Sequence, residues 1–245
     1  MSPASPEPSF FRFATLASGG GSNLQAILDQ SRAGHPLWPA RLVFTVSNNS
    51  GSPALDKSRA VGAPAYHVSV KTEGSEDRVG ARLLELLDNH PADLLVLAGY
   101  MKKVPDAVLG RMKNRVINIH PALLPEFGGA GMYGHHVHEA VVRAGKTESG
   151  MTIHMVNQNY DEGQILLQRR AGIPTSASPE EVGRLVLALE HDSYWRVLKA
   201  FADGDIVPTD SDDPAQAVRV NPAWVARMAA LEAPGVSEAP GVQAA

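Results

Sequence analysis

The sequence predicts an α/β protein built on a doubly wound, mostly parallel sheet with an antiparallel hairpin at one edge. Three observations carry that expectation. Through the first 120 residues, short β-branched apolar runs alternate with helix-period segments, the pattern of right-handed βαβ units. After residue 145 the alternation stops, and two strand-like runs flank a polar turn. The chain has 245 residues, 44% of them apolar, which suits one large domain or a domain plus a tail.

Residues 1–10 are rich in Pro and Ser and read as a disordered extension, without the basic and apolar stretches of a signal peptide. Residues 11–17 read as the first strand, followed by Ser-Gly-Gly-Gly-Ser-Asn at 18–23 and a helix over 23–31. A strand over 41–47, helices over 53–61 and 76–89, and strands over 94–97 and 115–119 continue the pattern. Pro121 ends the last of these by removing a backbone donor. Residues 150–156 alternate, 157–163 turn, and 165–170 return, with Asp161 in the connection. The helix expected over 179–201 opens on Ser178-Pro179-Glu180-Glu181, a capping serine, a proline at the first helical position and an acid three residues after the cap. The domain is expected to span 11–206. Residues 207–245, rich in Ala, Pro, Gly and acids, are expected to form a partly disordered tail, with one short helix over 221–231 and disorder in the last dozen.

Composition removes several classes of function. The chain contains no cysteine, which excludes disulfides, thiolate catalysis and Cys-based metal sites, and a cytoplasmic address follows by default. No apolar stretch approaches the length of a membrane span. The net charge of −4 argues against a general nucleic-acid surface. There is no repeat at solenoid periods.

The most informative run is Val-Ile-Asn-Ile-His-Pro-Ala-Leu-Leu-Pro at 116–125. Side chains two apart leave a strand on the same face, so Asn118 and His120 would point together from a strand end. In doubly wound sheets, ligands sit beyond the carboxyl ends of strands. An amide and an imidazole side by side offer donors to an oxygen that gains charge when a carbonyl is attacked. A lone histidine is more often a satisfied core residue; the paired asparagine and the strand-end position reverse that. The glycine-rich turn at 18–23 suits a single phosphate monoester, with Gly21, Ser22 and Asn23 as contacts at a helix N-terminus. No Lys follows the glycines, and Leu24 stands where a dinucleotide fingerprint needs glycine. A tight turn capped by Ser22 or Asn23 fits equally well. His136 and His138 flank one residue, but no third ligand stands at a telling spacing, and no metal is expected. The Gly- and His-rich stretch 128–138 is expected to form a loop that closes over substrate.

Four motifs occur in order: Ser-Gly-Gly-Gly-Ser-Asn-Leu at 18–24, Leu-Ala-Gly-Tyr-Met at 97–101, Asn-Ile-His-Pro-Ala-Leu-Leu-Pro at 118–125 and Tyr-Asp-Glu-Gly-Gln-Ile at 160–165. Together they resemble the phosphoribosylglycinamide formyltransferases of purine biosynthesis over about residues 11–206. The resemblance implies a Rossmann-like formyltransferase domain, 10-formyltetrahydrofolate as donor and co-substrate, and the amine of glycinamide ribonucleotide as acceptor. It implies small-molecule partners only, with no nucleic acid and no membrane. It also implies a catalytic set that falls on Asn118, His120 and Asp161. Asn118 would donate to the oxyanion, and His120 would assist more strongly when protonated, its pKa raised by the Asp161 carboxylate. Without the other motifs, Asp161 would read as an Asx-turn residue. Donor binding would fall on Arg78, Met101, Lys102, Lys103, Val104 and Asn118, with the backbone of the Met101–Val104 segment gripping the pterin. Lys103 departs from the apolar residue usual in the family, and Arg78 also reads as an exposed helix arginine. Glu190 would contact the ribose hydroxyls, although a solvated helix face would look similar. The stretch 128–138 is longer and more glycine-rich than in the plainest members. His154, on a strand facing Asp161, is expected to support the site rather than react. Rival readings are a methionyl-tRNA formyltransferase, which should carry a second basic domain, and a formyltetrahydrofolate hydrolase, which usually has a regulatory domain before the first strand. A non-catalytic folate- or nucleotide-binding module is the alternative from another class.

Overall fold

The computed structural model describes residues 10–32 and 38–231. Apart from Phe10, the extension expected at the N-terminus lies outside them, as do the last dozen residues. The elements run β1 (Phe11–Ala17), α1 (Ser22–Arg32), β2 (Ala40–Ser47), α2 (Pro53–Ala60), β3 (Ala65–His67), α3 (Val70–Glu73), α4 (Glu76–Asn89), β4 (Leu94–Leu97), α5 (Asp106–Arg111) and β5 (Val116–His120). They continue with α6 (His135–Arg143), β6 (Glu148–Met155), β7 (Ile165–Gly172), α7 (Pro179–Asp203), β8 (Ile206–Pro208), β9 (Val218–Val220) and α8 (Pro222–Ala229).

The main sheet has seven strands in the order β3-β2-β1-β4-β5-β6-β7. The five from β3 to β5 are parallel, and β6 and β7 pair antiparallel at the edge. The expected fold class is therefore the observed one. The chain winds outward from β1 to β3 and then returns to β4, which puts the topological switch point between β1 and β4. Strands buried on both faces demand unbroken apolar runs, and Leu94–Leu97 is buried at all four positions.

Two apolar layers sandwich the sheet. On one side α1, α7 and α8 contribute Leu24, Ile27, Val186, Tyr194, Val197 and Trp224. On the other, α4 and α5 contribute Val79, Leu83, Leu86, Leu87, Val108 and Leu109. The long helix α7 starts as its sequence dictates. Ser178 caps Glu181, Glu181 reaches back to the Ser178 N–H at 2.7 Å, and Pro179 takes the first position. Gly204, in left-handed conformation, ends it.

The boundary expected at 206/207 falls inside β8. The β8–β9 ribbon and α8 bury Ile206, Val218 and Trp224 in the first core layer, so residues 206–231 pack as part of the same body. No helix among the described residues is long and apolar enough to cross a membrane.

Candidate active site

Asn118 and His120 do leave β5 on one face, and both line a cleft of about 430 Å³ beyond the carboxyl ends of β4 and β5. The antiparallel register sets Asn118 directly opposite His154 of β6. Their side chains meet, Asn118 Nδ2 lying 3.2 Å from His154 Nε2, while His154 Nδ1 donates to the Met155 carbonyl at 2.8 Å. Asp161 reaches in from the β6–β7 turn, where its φ of 58° is left-handed, a conformation Asp tolerates better than most residues. Its Oδ2 lies 3.6 Å from His120 Nδ1 and accepts the Gly129 N–H at 2.9 Å. Its Oδ1 lies 3.4 Å from His154 Nε2. The fold thus brings together all three residues expected to form the catalytic set, and adds His154 as the link between the amide and the carboxylate.

The charge state of His120 differs from the expectation. Burial lowers its pKa below the ordinary value; Asp161 and the hydrogen bond to the Phe127 carbonyl pull it up without offsetting that loss of hydration. The sequence identified the neighbouring charge but not the depth of burial. His120 Nε2 lies 2.8 Å from the Phe127 carbonyl oxygen and so carries the proton there, leaving Nδ1 facing Asp161. For Asp161, burial pushes the carboxyl up, but the hydrogen bond with His154, the His120 ring and the Gly129 N–H outweigh it and hold the group below its usual range. Asp161 is an anion at neutral pH.

The glycine-rich turn follows β1 at the switch point. The N–H groups of residues 19–24 have no hydrogen-bond partner among the described residues, so six consecutive donors surround the start of α1. Gly21 has a packing reason as well: its φ is 66°, and a Cβ there would lie 2.7 Å from Ala54 Cβ. Ser22 is exposed at the helix start. The Asn23 side chain does not face the cradle; its Nδ2 donates to Glu190 Oε2 at 2.8 Å, while its Oδ1 is buried without a partner. Glu190 lines the cleft from α7, and burial pushes its carboxyl up to about 7 despite that hydrogen bond.

The Met101–Val104 segment forms another wall of the cleft. Met101 has already committed its N–H to Ser18 Oγ at 2.8 Å, so it offers no donor to a ligand. The backbone groups of Lys102, Lys103 and Val104 have no partner among the described residues. Lys103 points its ammonium to Asp106 at 3.3 Å, with both groups exposed. Arg78 stands apart from the other donor candidates. It is exposed in the first turn of α4 and does not line the cleft.

Residues 11–198 match the formyl transferase family model. The chloroplastic phosphoribosylglycinamide formyltransferase of Arabidopsis thaliana is 36% identical over 200 residues, 82% of this chain and 68% of that protein. This chain belongs to the formyl transferase family. The phosphoribosylglycinamide formyltransferase of Escherichia coli K12 is 31% identical over 189 residues, covering 77% of this chain and 86% of that one. Among solved structures, glycinamide ribonucleotide transformylase 1 from Symbiobacterium toebii superposes with a TM-score of 0.76 at 34% identity, covering 86% of this chain and 94% of that one.

This formyl transferase also holds features that the sequence reading did not find. The stretch 128–138 is not loop throughout, because α6 begins at His135. His136 and His138 therefore diverge, the first exposed and the second buried over Gly183 of α7, where a Cβ would lie 3.1 Å from the imidazole. The spacing of Val137 and Val141 was the available signal for that helix. Residues 127–134 arch from His120 and Asp161, contacted through Phe127 and Gly129, to Met101, beside Gly134. Ser18 stitches the two loops flanking the switch point. Its N–H donates to the Gly99 carbonyl at 3.0 Å, and its Oγ accepts from Met101 and donates to Asn48 Oδ1 at 2.5 Å.

Proposed function

We propose that this chain transfers the formyl group of 10-formyltetrahydrofolate to the amine of glycinamide ribonucleotide, in the cytoplasm. One observation carries the reading. Among the described residues, the unpartnered backbone groups of 102–104 line one cleft with Asn118, His120 and Asp161, and those of 19–24 adjoin it through Asn23, bonded to Glu190, and Ser18, bonded to Met101. The six N–H groups of residues 19–24 suit the acceptor phosphate, and the neighbouring Glu190 suits its ribose hydroxyls. Paired donors and acceptors along 102–104 suit a flat heterocycle that carries both, as the pterin does. The absence of cysteine accords with the cytoplasmic address.

The chemistry follows from this arrangement. The acceptor amine attacks the formyl carbon, and the carbonyl oxygen takes up the electron pair. Asn118 Nδ2 donates to that oxygen. His120, neutral at rest, takes the proton that leaves the attacking nitrogen at its Nδ1, where Asp161 faces the resulting imidazolium. The C–N10 bond then breaks, and the proton passes from His120 to N10. Asp161 supports the intermediate charge and keeps its own proton off, as its lowered pKa requires. The role for His120 thus changes from a resting cation to a proton carrier.

The test is to follow deformylation of a 10-formyl folate spectroscopically with and without glycinamide ribonucleotide. Turnover that depends on the acceptor, with formylated acceptor as product, supports the reading. Formate release at the same rate without acceptor would make the chain a hydrolase.

A further inference from the structure

Asp161 sits on a turn that must hold its carboxylate between two imidazoles. From the cleft side, the Gly129 N–H and the rings of His120 and His154 contact it. Behind the turn, residues 211–217 face the β6–β7 connection and the corner before β5 across a cleft of about 410 Å³, which is bridged at its two ends. Gln164, three residues after Asp161, makes two reciprocal hydrogen bonds there: its Oε1 accepts the Val218 N–H at 3.0 Å, and its Nε2 donates to the Val218 carbonyl at 3.2 Å. The amide side chain thus extends the β8–β9 ribbon as a strand neighbour would. At its other end the segment is clamped by Asn114, whose Nδ2 donates to the carbonyls of Thr209 and Ser211, each at 2.9 Å, and by Lys113, which pairs with Asp212 at 2.5 Å. The turn itself has little slack. A Cβ on Gly163 would lie 1.8 Å from the Met155 carbonyl oxygen, and the Met155 N–H donates to the Gln164 carbonyl at 2.9 Å.

We propose that Gln164 is a positioning residue for Asp161, and that residues 206–220, which lie beyond the part matched by the family model, belong to the catalytic apparatus by bracing its turn. The inference rests on the reading of Asp161 as the partner of His120. Loss of the paired contact lets the carboxylate drift from His120, where a shift of less than an ångström matters.

The experiment is a double-mutant cycle of Gln164→Leu, which keeps the bulk and removes both hydrogen bonds, with Asp161→Asn. Gln164→Leu is expected to lower kcat about tenfold, to leave the KM of both substrates within about twofold, and to move the pH profile of kcat toward that of Asp161→Asn. The double variant should lose no more activity than Asp161→Asn alone. Asn114→Gly, which tolerates the left-handed φ of 55° there and frees the far end of the segment, should reproduce the pattern more weakly. It carries the test if Gln164→Leu does not fold. Wild-type kcat and pH profile in the folded single variant, or fully additive losses in the double variant, would overturn the inference whatever the Tm. Near-normal kcat in Asp161→Asn would instead overturn the underlying reading of Asp161.

Discussion

Glu190 should make this protein less stable as pH rises, and Glu190→Gln should remove that dependence. The carboxyl is 6% exposed, lies against Asn23, and titrates at about 7 instead of 4.5 because burial penalises the anion. The folded state therefore holds the proton more tightly than the unfolded chain. The favourable contribution is intact below the unfolded pKa of 4.5, and is lost as pH climbs to the folded value near 7. The gap is worth about 3 kcal/mol at pH 8.5 and a small part of that at pH 5. Glutamine keeps the acceptor for Asn23 Nδ2 and carries no charge, so the variant should gain on wild type by about that amount between the two pH values. In a domain of this size the gain corresponds to a rise in Tm of roughly 6–12 °C. Denaturant unfolding of both proteins at pH 5 and 8.5 reads the effect, and any constant offset from the substitution cancels in the comparison. A stability difference that is the same at both pH values would refute the argument, and Glu190 would then be an ordinary anion. At pH 8.5, where the wild-type carboxyl is ionised, the same variant should raise the KM for glycinamide ribonucleotide about tenfold, since a neutral amide is a poorer acceptor for ribose hydroxyls than a carboxylate; at pH 5 the two KM values should be closer.

Three further outcomes are expected. Asp161→Asn removes the charge that partly counters the burial of His120, so the imidazole pKa measured by NMR should fall further below 6.5, and kcat should drop roughly 30- to 1,000-fold, the cost of about 2–4 kcal/mol. Ser18→Ala deletes the acceptor for the Met101 N–H, worth about 0.5–1.5 kcal/mol; steady-state kinetics should show a 2- to 10-fold rise in the KM for the folate donor, and an unchanged value would mean that Met101 holds its place without Ser18. Lys103→Ile severs only an exposed ion pair and should leave the donor KM within about twofold, whereas Val104→Pro removes a backbone N–H at the cleft wall and should weaken donor binding measured by calorimetry.

Much of this architecture was legible because its signals are local. The strands Phe11–Ala17 and Leu94–Leu97 and the helix Glu76–Asn89 stand where apolar period and flanking polar residues put them, and Ser178-Pro179-Glu180-Glu181 marked the start of α7. Short elements were missed for physical reasons. β3 is three half-buried residues, and α6 hides its Val137/Val141 stripe behind three histidines and a glycine-rich entry. The pairing of Asn118 with His120 was readable from strand geometry. The partner of Asn23 was not, because Glu190 lies 167 residues away, and neither was the Gln164–Val218 pair. Contacts made by folding leave no local periodicity. The sign of the His120 shift belongs to the same class: a sequence names the carboxylate that raises a pKa, while the burial that lowers it is a property of the assembled core.

That sign carries a consequence for catalysis. A neutral imidazole has one N–H, and His120 faces two acceptors, the Phe127 carbonyl at 2.8 Å and Asp161 at 3.6 Å. Only the imidazolium serves both. In the resting cleft, burial disfavours that cation more than its two partners favour it. The balance changes once the amine adds to the formyl carbon, because an anionic oxygen then forms beside the Asn118 amide and a proton becomes available. A cation at His120 is now opposed by two anions instead of one, and its desolvation is offset by fixed groups that need no rearrangement. A ring held charged from the start would attract the ground-state carbonyl as well, and so would spend part of its stabilisation before the barrier. A ring that becomes charged only as the oxyanion develops concentrates it in the transition state.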